Sequence, residues 1–393
     1  MTEQELKNLA AELSALSVFR GILRHKPMAA LIEFLDSKGD AREKMSLYGE
    51  FVSSLAEDGY CLSAFLRRAV YEDENPYVVS CAHKKEVPAV LSDNAEEELE
   101  LLSRLGELDA QTLCGELDYC GYVPRFENEA LDLKDSYRQR LENIGHYGYG
   151  VFASEGMFRV ENDEILPVKS ADEIGLDSFV GYEAERQKVF DNTKALVEGR
   201  PAANVLLFGD AGTGKSSTVK ACANHFAHQG LRLIELRKDQ LFSLSSIMGK
   251  IAGNPLKFII FIDDLSFNKN DDSFSMLKAV LEGSASAKAP NAVIYATSNR
   301  RHIVKEKFSD RNGDDVHNSD TVQELLSLSD RFGLTVYFEK PNKSLYLDIV
   351  HALADKQGID TDRRELDIRA EAFALTKGSR SPRAAEQFIN SLL

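Results

Sequence analysis

The residue types best suited to chemistry lie in the segment GDAGTGKSS, residues 209–217. It fits the pattern G-x-x-x-x-G-K-[ST], in which the backbone N–H groups of a glycine-rich loop surround the phosphates of a nucleotide. The lysine of this pattern reaches the β- and γ-phosphates, and the hydroxyl after it binds Mg²⁺. The candidate nucleotide-binding residues are Gly209, Asp210, Ala211, Gly212, Thr213, Gly214, Lys215, Ser216 and Ser217.

The residues around this loop have the patterns of a strand and a helix. The apolar run VLLF precedes the loop, and STVKACANHF follows it with helical character. A helix that begins at the loop adds the partial positive charge of its N-terminus to the phosphate site. A glycine-rich turn without function is the alternative, and the combination of strand, motif and helix disfavours it. The segment therefore predicts a nucleotide site that uses Mg²⁺.

Two adjacent aspartates, Asp263 and Asp264, end the apolar run FIIFID, residues 258–263. In a P-loop fold the strand that carries a second acidic motif lies beside the phosphate-loop strand. Asp263 is then expected near the Mg²⁺ of Ser216, bound through water. Asp264 is the candidate for positioning the attacking water. It is one methylene shorter than glutamate, and a misplacement of ~1 Å can cost a large factor in rate. The alternative is a turn without function.

An amide follows the next apolar run. AVIYATS, residues 292–298, is expected between the two motif strands and is followed by Asn299, whose amide can contact a γ-phosphate and orient water. Taken alone, Ser298-Asn299 is a common turn signal.

Two arginines complete the candidate site. Arg331 stands just before the apolar run LTVYFE, and the planar guanidinium group suits a γ-phosphate; a structural pair with Asp330 is the alternative. Arg383 begins the last predicted helix and could reach the nucleotide when two domains close, with Arg380 as the fallback. A structural arginine at the helix start is the alternative for Arg383.

Four segments are expected to position these residues. Residues 1–144 repeat apolar side chains at three- and four-residue steps, which predicts a helical N-terminal domain. Residues 145–170 predict a β-hairpin linker, with Asn162 and Asp163 at its turn. Residues 171–340 alternate strand and helix, which predicts an α/β core with a parallel five-stranded sheet. Residues 341–393 predict a helical lid.

The composition excludes several classes of function. The 393 residues carry a formal net charge of −16, which argues against a general nucleic-acid binder, although a local basic patch stays open. The five cysteines form no C-x-x-C pair, so neither a zinc site nor a disulfide framework is indicated. No apolar run approaches the ~20 residues of a membrane helix. We expect a cytoplasmic protein without a membrane segment.

The order of these motifs resembles that of the AAA+ ATPases. More narrowly, the sequence is similar to an uncharacterised bacterial family called domain of unknown function 815, over roughly residues 145–393. The similarity lies in GYEAER (181–186), NTKALVEGRPAANVLLFGDAGTGKSSTVKA (192–221), FIDDLSF (261–267), LKAVLEG (277–283), YATSNRRHIV (295–304) and SLSDRFGL (327–334).

The resemblance implies an ATP site with Mg²⁺ and a role for each candidate residue. Lys215 and Ser216 become the Walker A residues, Asp263 and Asp264 the Walker B pair, Asn299 sensor 1, Arg331 the arginine finger and Arg383 sensor 2. It further implies that Ile174, Phe179 and Val180 form the apolar adenine pocket. One departure is Ala211, which stands where the family usually has an arginine.

The resulting hypothesis is a slow ATPase that forms a homo-oligomer and switches or remodels a protein partner. Arg331 would be supplied in trans by a neighbouring subunit, and the N-terminal domain would hold the partner. One alternative is a DNA replication or repair accessory of the helicase-loader type, because the DRFG segment of this sequence is similar to the corresponding segment of helicase loaders. The other alternative is a nucleotide-gated scaffold with little turnover. Phe242 is expected in the core, and loop 300–324 is expected to be a surface loop rather than a partner-binding element.

Overall fold

The computed structural model describes residues 2–115, 119–169, 174–176, 179–265, 272–281, 289–299 and 331–393. Loop 300–324 lies outside these residues. The chain divides into two compact units, residues 1–154 and 155–393. None of the helices in the described part is long and apolar enough to cross a membrane.

The first unit is helical, as predicted. The longer helices bury one side because their apolar residues recur at helical spacing, for example Leu9 and Leu13 in the first helix and Phe65 and Leu66 in the fourth. The helices are α1 (Glu3–Ser14), α2 (Lys26–Asp36), α3 (Ala41–Ser54), α4 (Leu62–Glu72), α5 (Pro76–Ala82), α6 (Ala89–Leu105), α7 (Ala110–Cys114), α8 (Leu133–Glu142) and α9 (Ile144–Tyr147).

The second unit is built on a seven-stranded sheet in the order β2-β1-β4-β5-β6-β3-β7. Neighbouring strands run parallel, except that β1 and β2 form an antiparallel hairpin. The strands are β1 (Met157–Glu161), β2 (Glu164–Pro167), β3 (Val205–Gly209), β4 (Leu231–Glu235), β5 (Lys257–Ile262), β6 (Ala292–Ser298) and β7 (Leu334–Phe338).

The predicted count of five strands is wrong by two, because the hairpin joins the sheet. Asn162 and Asp163 form its turn with positive φ values of 50° and 63°, a conformation that Asn and Asp tolerate better than other side chains. Strand β1 then pairs in parallel with β4, so the hairpin extends the sheet at one edge.

The sequence analysis predicts two conflicting positions for the strand that carries the aspartates. It lies either directly beside the phosphate-loop strand or separated from it by AVIYATS. Strand β5, which carries the aspartates, does not lie directly beside β3, the strand before the phosphate loop. Strand β6 pairs with both of them, as expected for AVIYATS. The carboxyl ends of β3, β6 and β5 therefore lie next to one another, on the side of the sheet where the phosphate loop begins.

Helices cover the sheet and form the lid. Val189 and Val219 pack with the strand residues Leu207 and Phe261, while Ile260 on the opposite face is equally buried. The helices of the second unit are α10 (Glu183–Val197), α11 (Lys215–Phe226), α12 (Leu244–Ile251), α13 (Asp272–Leu281), α14 (Lys343–Lys356), α15 (Arg363–Lys377) and α16 (Pro382–Asn390). Helices α14 to α16 have their own small core. The expected α/β P-loop fold with a helical lid is confirmed.

One expectation about the core is wrong. Phe242 lies in a 3-10 helix, Lys238–Ser243, and 60% of the residue is exposed. Its neighbours Leu241 and Leu244 take the buried positions of this short segment.

Candidate nucleotide site

The phosphate loop begins where β3 ends, at Gly209. This residue has a φ of 137°, and a Cβ atom there would lie 2.0 Å from the carbonyl oxygen of Phe338. Only glycine fits such a close approach of the two chains. The loop ends at Gly214, which has a φ of 89° and precedes the first residue of α11, Lys215. Glycines thus set both ends of the turn, and the N-terminus of α11 faces the loop.

Lys215 is buried and makes three hydrogen bonds at the site. Its Nζ donates to the carbonyl oxygens of Gly209 at 3.0 Å and Asp210 at 2.7 Å, and to Oδ1 of Asn299 at 3.1 Å. Burial lowers the pKa of the Lys215 ammonium, while the carboxylates of Asp210, Asp263 and Asp264 act in the opposite direction. The ammonium is therefore held among oxygen atoms that phosphate oxygens could replace.

The hydroxyl of Ser216 and the carboxylate of Asp263 lie in contact. Ser216 Oγ donates to Asp263 Oδ1 at 2.6 Å, and Thr297 Oγ1 donates to the same oxygen at 2.5 Å. A hydroxyl and a carboxylate are hard oxygen ligands, and Mg²⁺ takes one or two protein oxygens together with phosphate oxygens and water. The two residues fit that requirement. No group of three or more His, Cys, Asp or Glu side chains that could hold a metal ion lies within the described ranges.

Thr297 is a site residue that the sequence analysis missed. Besides its bond to Asp263, its hydroxyl accepts a hydrogen bond from the backbone N–H of Asp264 at 2.9 Å. The available signal was a polar residue inside the apolar run AVIYATS, one position before the predicted Ser298-Asn299 end. Ser298 itself is buried, at 1% exposure.

The second aspartate has a different partner from the first. Asp264 Oδ1 accepts a hydrogen bond of 2.8 Å from Nδ2 of Asn299. Asp264 also has a positive φ of 52°, which aspartate tolerates because its short side chain bonds locally. The two adjacent carboxylates thus have different partners: Asp263 contacts Ser216, and Asp264 contacts Asn299.

The lid approaches the phosphate loop at Gly212. The backbone N–H of Arg383 donates to the carbonyl oxygen of Gly212 at 3.3 Å. A Cβ atom on Gly212 would lie 3.2 Å from the Cβ of Arg383. Arg380, the fallback, is instead paired with both carboxylate oxygens of Glu371, at 2.8 and 2.9 Å. Of the two predicted arginines, Arg383 is therefore the one that lies against the phosphate loop.

Two cavities adjoin along the loop, and Arg383 lines both. The smaller, about 220 Å³, is bordered by the loop and by Asp263, Asp264, Thr297 and Asn299. The larger, about 440 Å³, is bordered by the loop and the lid, and also by the predicted adenine-pocket residues Ile174, Phe179 and Val180. The guanidinium group of Arg186 lies over the Phe179 ring, 5.4 Å from its centre. The two cavities suit the two ends of a nucleotide. The smaller one is polar, as the phosphates require, and the larger one has an apolar side, as the base requires.

Arg331 is not brought to this cluster. It precedes β7, whose first residue, Leu334, pairs with Val205, whereas Phe338 pairs with Gly209 at the phosphate loop. The strand separates the two ends by roughly 13 Å. Arg331 therefore lies beyond the amino-terminal end of β7, whereas the phosphate loop of its own chain lies at the carboxyl-terminal ends of the strands. Asp330, its alternative partner, lies outside the described residues.

Comparison with known proteins gives one family and several similar structures. The model of the family described as Protein of unknown function (DUF815) matches residues 154–393. No curated protein matches the sequence. Among solved structures, the Thermotoga maritima RuvB Holliday junction branch migration motor is 16% identical with a TM-score of 0.37, over 55% of this chain and 63% of RuvB. The FIGL-1 AAA domain in complex with ADP is 19% identical with a TM-score of 0.37, over 55% of this chain and 72% of that domain. The strand order and the phosphate loop, rather than these similarities, identify the fold.

Proposed function

The chain belongs to the family described as Protein of unknown function (DUF815), and we propose that it is an ATPase that binds ATP with Mg²⁺ and hydrolyses it at an interface between two copies of the chain. The observation that carries this proposal is the chain of contacts from Lys215 through Asn299 to Asp264, beside the pair of Ser216 and Asp263.

Each contact has a part in phosphoryl transfer. The loop N–H groups and Lys215 hold the β- and γ-phosphates, and Arg383 approaches them from the lid. Ser216 and Asp263 would hold Mg²⁺, which neutralises charge that develops on the phosphate oxygens. Asp264 orients the attacking water, and Asn299 fixes the carboxylate of Asp264 relative to the ammonium of Lys215.

The position of Arg331 supports an oligomer. An arginine that stabilises the transition state must reach the γ-phosphate, and Arg331 lies at the opposite edge of the sheet from its own phosphate loop. A second copy of the chain would therefore supply it. Hydrolysis would then alter contacts between copies, which is how a protein partner held by the first unit would be switched or remodelled.

The site of action is proposed to be the cytoplasm. All five cysteines are free, in keeping with a reducing compartment.

Direct binding to DNA has no support in the described residues of the site, and the acidic balance argues against it. Salt-sensitive binding to single-stranded DNA would favour the helicase-loader alternative.

A nucleotide-gated scaffold with little turnover is the second candidate. The observation that favours it is the length of the Asp264 side chain, which is one methylene shorter than glutamate, so that its carboxylate would reach less far toward an attacking water. Such a protein would bind ATP tightly and release phosphate very slowly.

The deciding experiment measures ATP binding and phosphate release for three variants. Lys215→Ala should weaken ATP binding at least a hundredfold, while Lys220→Ala on the same helix should not. Asp264→Asn should retain ATP and lose most of its turnover. Turnover that is unchanged in Asp264→Asn would show that the catalytic assignment is wrong, and the absence of turnover in the unmodified protein would favour the scaffold.

A further inference from the structure

One side chain of the larger cavity has a charge that the phosphates would repel. Glu386 is the one acidic residue among the described residues that border this cavity, and it does not border the smaller, phosphate-side cavity. The other charged residues among the described lining residues are the cations Arg186 and Arg383. A carboxylate in this place suits a part of the nucleotide that carries hydrogen-bond donors and no negative charge.

The helix that carries Glu386 fixes where along the nucleotide it lies. Helix α16 begins at Pro382, and the backbone of Arg383 is bonded to Gly212 of the phosphate loop. Residues three apart lie on the same face of a helix, so Glu386 follows Arg383 by about 4.5 Å along the axis. Arg383 borders both cavities and Glu386 only the larger one. The group next to the phosphates in that direction is the ribose.

Among the described residues that line the larger cavity, Glu386 is the anionic acceptor, whereas the hydroxyls of Thr213, Ser217 and Thr218 are neutral ones. The hydroxyl of Thr213 donates to the carbonyl of Asp210 at 2.9 Å, and that of Thr218 donates to the carbonyl of Gly214 at 2.8 Å. An ionised carboxylate only accepts hydrogen bonds, and O–H donors to it form short, strong ones. The 2′- and 3′-hydroxyls of a ribose are such donors.

We propose that Glu386 accepts hydrogen bonds from the ribose hydroxyls and thereby makes the site selective for ribonucleotides over deoxyribonucleotides. The inference rests on the proposed binding of ATP. It adds a specificity-determining residue on the lid, so that the lid contributes one contact to the phosphates through Arg383 and a second to the sugar through Glu386.

The test compares dissociation constants for ATP and 2′-deoxyATP, measured by calorimetry with Mg²⁺ present. The unmodified protein should bind ATP about tenfold more tightly, the size expected for a hydrogen bond to a charged acceptor. Glu386→Ala should bring the ratio to about one, and Glu386→Gln should leave a smaller preference than the unmodified protein has. Gln387→Ala, at the adjacent position of α16, should keep the full preference.

Two outcomes would overturn the inference. Equal affinity of the unmodified protein for ATP and 2′-deoxyATP would remove ribose recognition. A preference that persists in Glu386→Ala would assign it to another residue, and if this variant also loses discrimination between ATP and ITP, Glu386 lies at the base. If the unmodified protein binds neither nucleotide, the proposed function fails as well, so the two failures are distinguishable.

Discussion

Asn299 joins Lys215 to Asp264. Its side-chain oxygen accepts a hydrogen bond of 3.1 Å from Nζ of Lys215, and its nitrogen donates one of 2.8 Å to Oδ1 of Asp264. The amide thus contacts both the cation expected to bind the γ-phosphate and the carboxylate expected to orient water. Because an amide has one donor side and one acceptor side, it fixes the two groups in one relative position.

We therefore predict that Asn299→Ala lowers kcat by on the order of a hundredfold, the cost of one lost hydrogen-bond donor at a reacting group. ATP affinity should change by less than about threefold, because the loop and Lys215 still hold the phosphates. Phosphate release and calorimetric binding check the two quantities separately. Asn94→Ala, an exposed position in the first unit, is the control, and an unchanged kcat in Asn299→Ala would refute the assignment.

The contact between Ser216 and Asp263 leads to a prediction about Mg²⁺. Asp263→Asn removes the negative charge next to Ser216 Oγ, so ATP affinity in the presence of Mg²⁺ should fall about tenfold or more. Affinity measured with EDTA should stay the same, because the phosphate loop is unchanged.

Thr297→Val provides a graded comparison for this site. It removes the hydroxyl that donates to Asp263 at 2.5 Å and keeps the size of the side chain. We expect an intermediate increase in the Mg²⁺ concentration needed for half-maximal ATP binding. Equal Mg²⁺ requirements in the unmodified protein and Asp263→Asn would contradict the metal assignment.

Local sequence patterns predicted the strands that carry the site. VLLFG and AVIYATS coincide with β3 and β6, because a short apolar run bounded by turn residues has few other folded forms. The turn at Asn162 and Asp163 was equally local. In contrast, the pairing of β1 with β4 joins segments about 75 residues apart in the chain, and no pattern within either strand predicts it.

The contacts of individual side chains were less predictable. Thr297 lies in β6, two residues before the predicted Asn299 that follows this strand, yet its role depends on which side of β6 faces the end of β5. Phe242 was expected to be buried from its residue type alone, and the structure exposes it because Leu241 and Leu244 occupy the interior. The type of a residue predicts the chemistry of its side chain more readily than it predicts which residues surround that side chain.

The place of Arg331 predicts complementation between subunits. Arg331→Ala should bind ATP normally and hydrolyse it poorly, whereas Lys215→Ala should not bind. When the two variants are mixed, an interface can form between an intact phosphate loop and an intact Arg331, so part of the activity should return. Phosphate release over a range of mixing ratios checks this, with each variant alone as control. No gain at any ratio would show that Arg331 does not act in trans.

The buried ammonium of Lys215 is expected to make ATP affinity dependent on pH. Burial lowers the pKa of this group in the nucleotide-free protein, and phosphates at the site would raise it. Binding is therefore accompanied by proton uptake once the pH exceeds the lowered pKa, and affinity should fall as the pH rises through it. The loss should begin below the ordinary lysine range. Dissociation constants measured in roughly half-unit steps between about pH 7 and 10 test this. Lys215→Arg, which stays charged, should bind more weakly and show a flatter profile.

A buried carboxylate in the first unit is expected to stabilise its fold. Glu98 on α6 accepts hydrogen bonds from the backbone N–H groups of Ser17 at 2.7 Å, Val18 at 3.1 Å and Phe19 at 2.9 Å. Glu98→Ala leaves these donors without this acceptor, which should lower the free energy of unfolding by about 3 kcal/mol. Glu97→Ala, whose side chain is exposed at the adjacent position, should change it by less than about 0.5 kcal/mol. Urea unfolding followed by circular dichroism at the helical band measures both, and equal midpoints for the two variants would show that the Glu98 contacts contribute little.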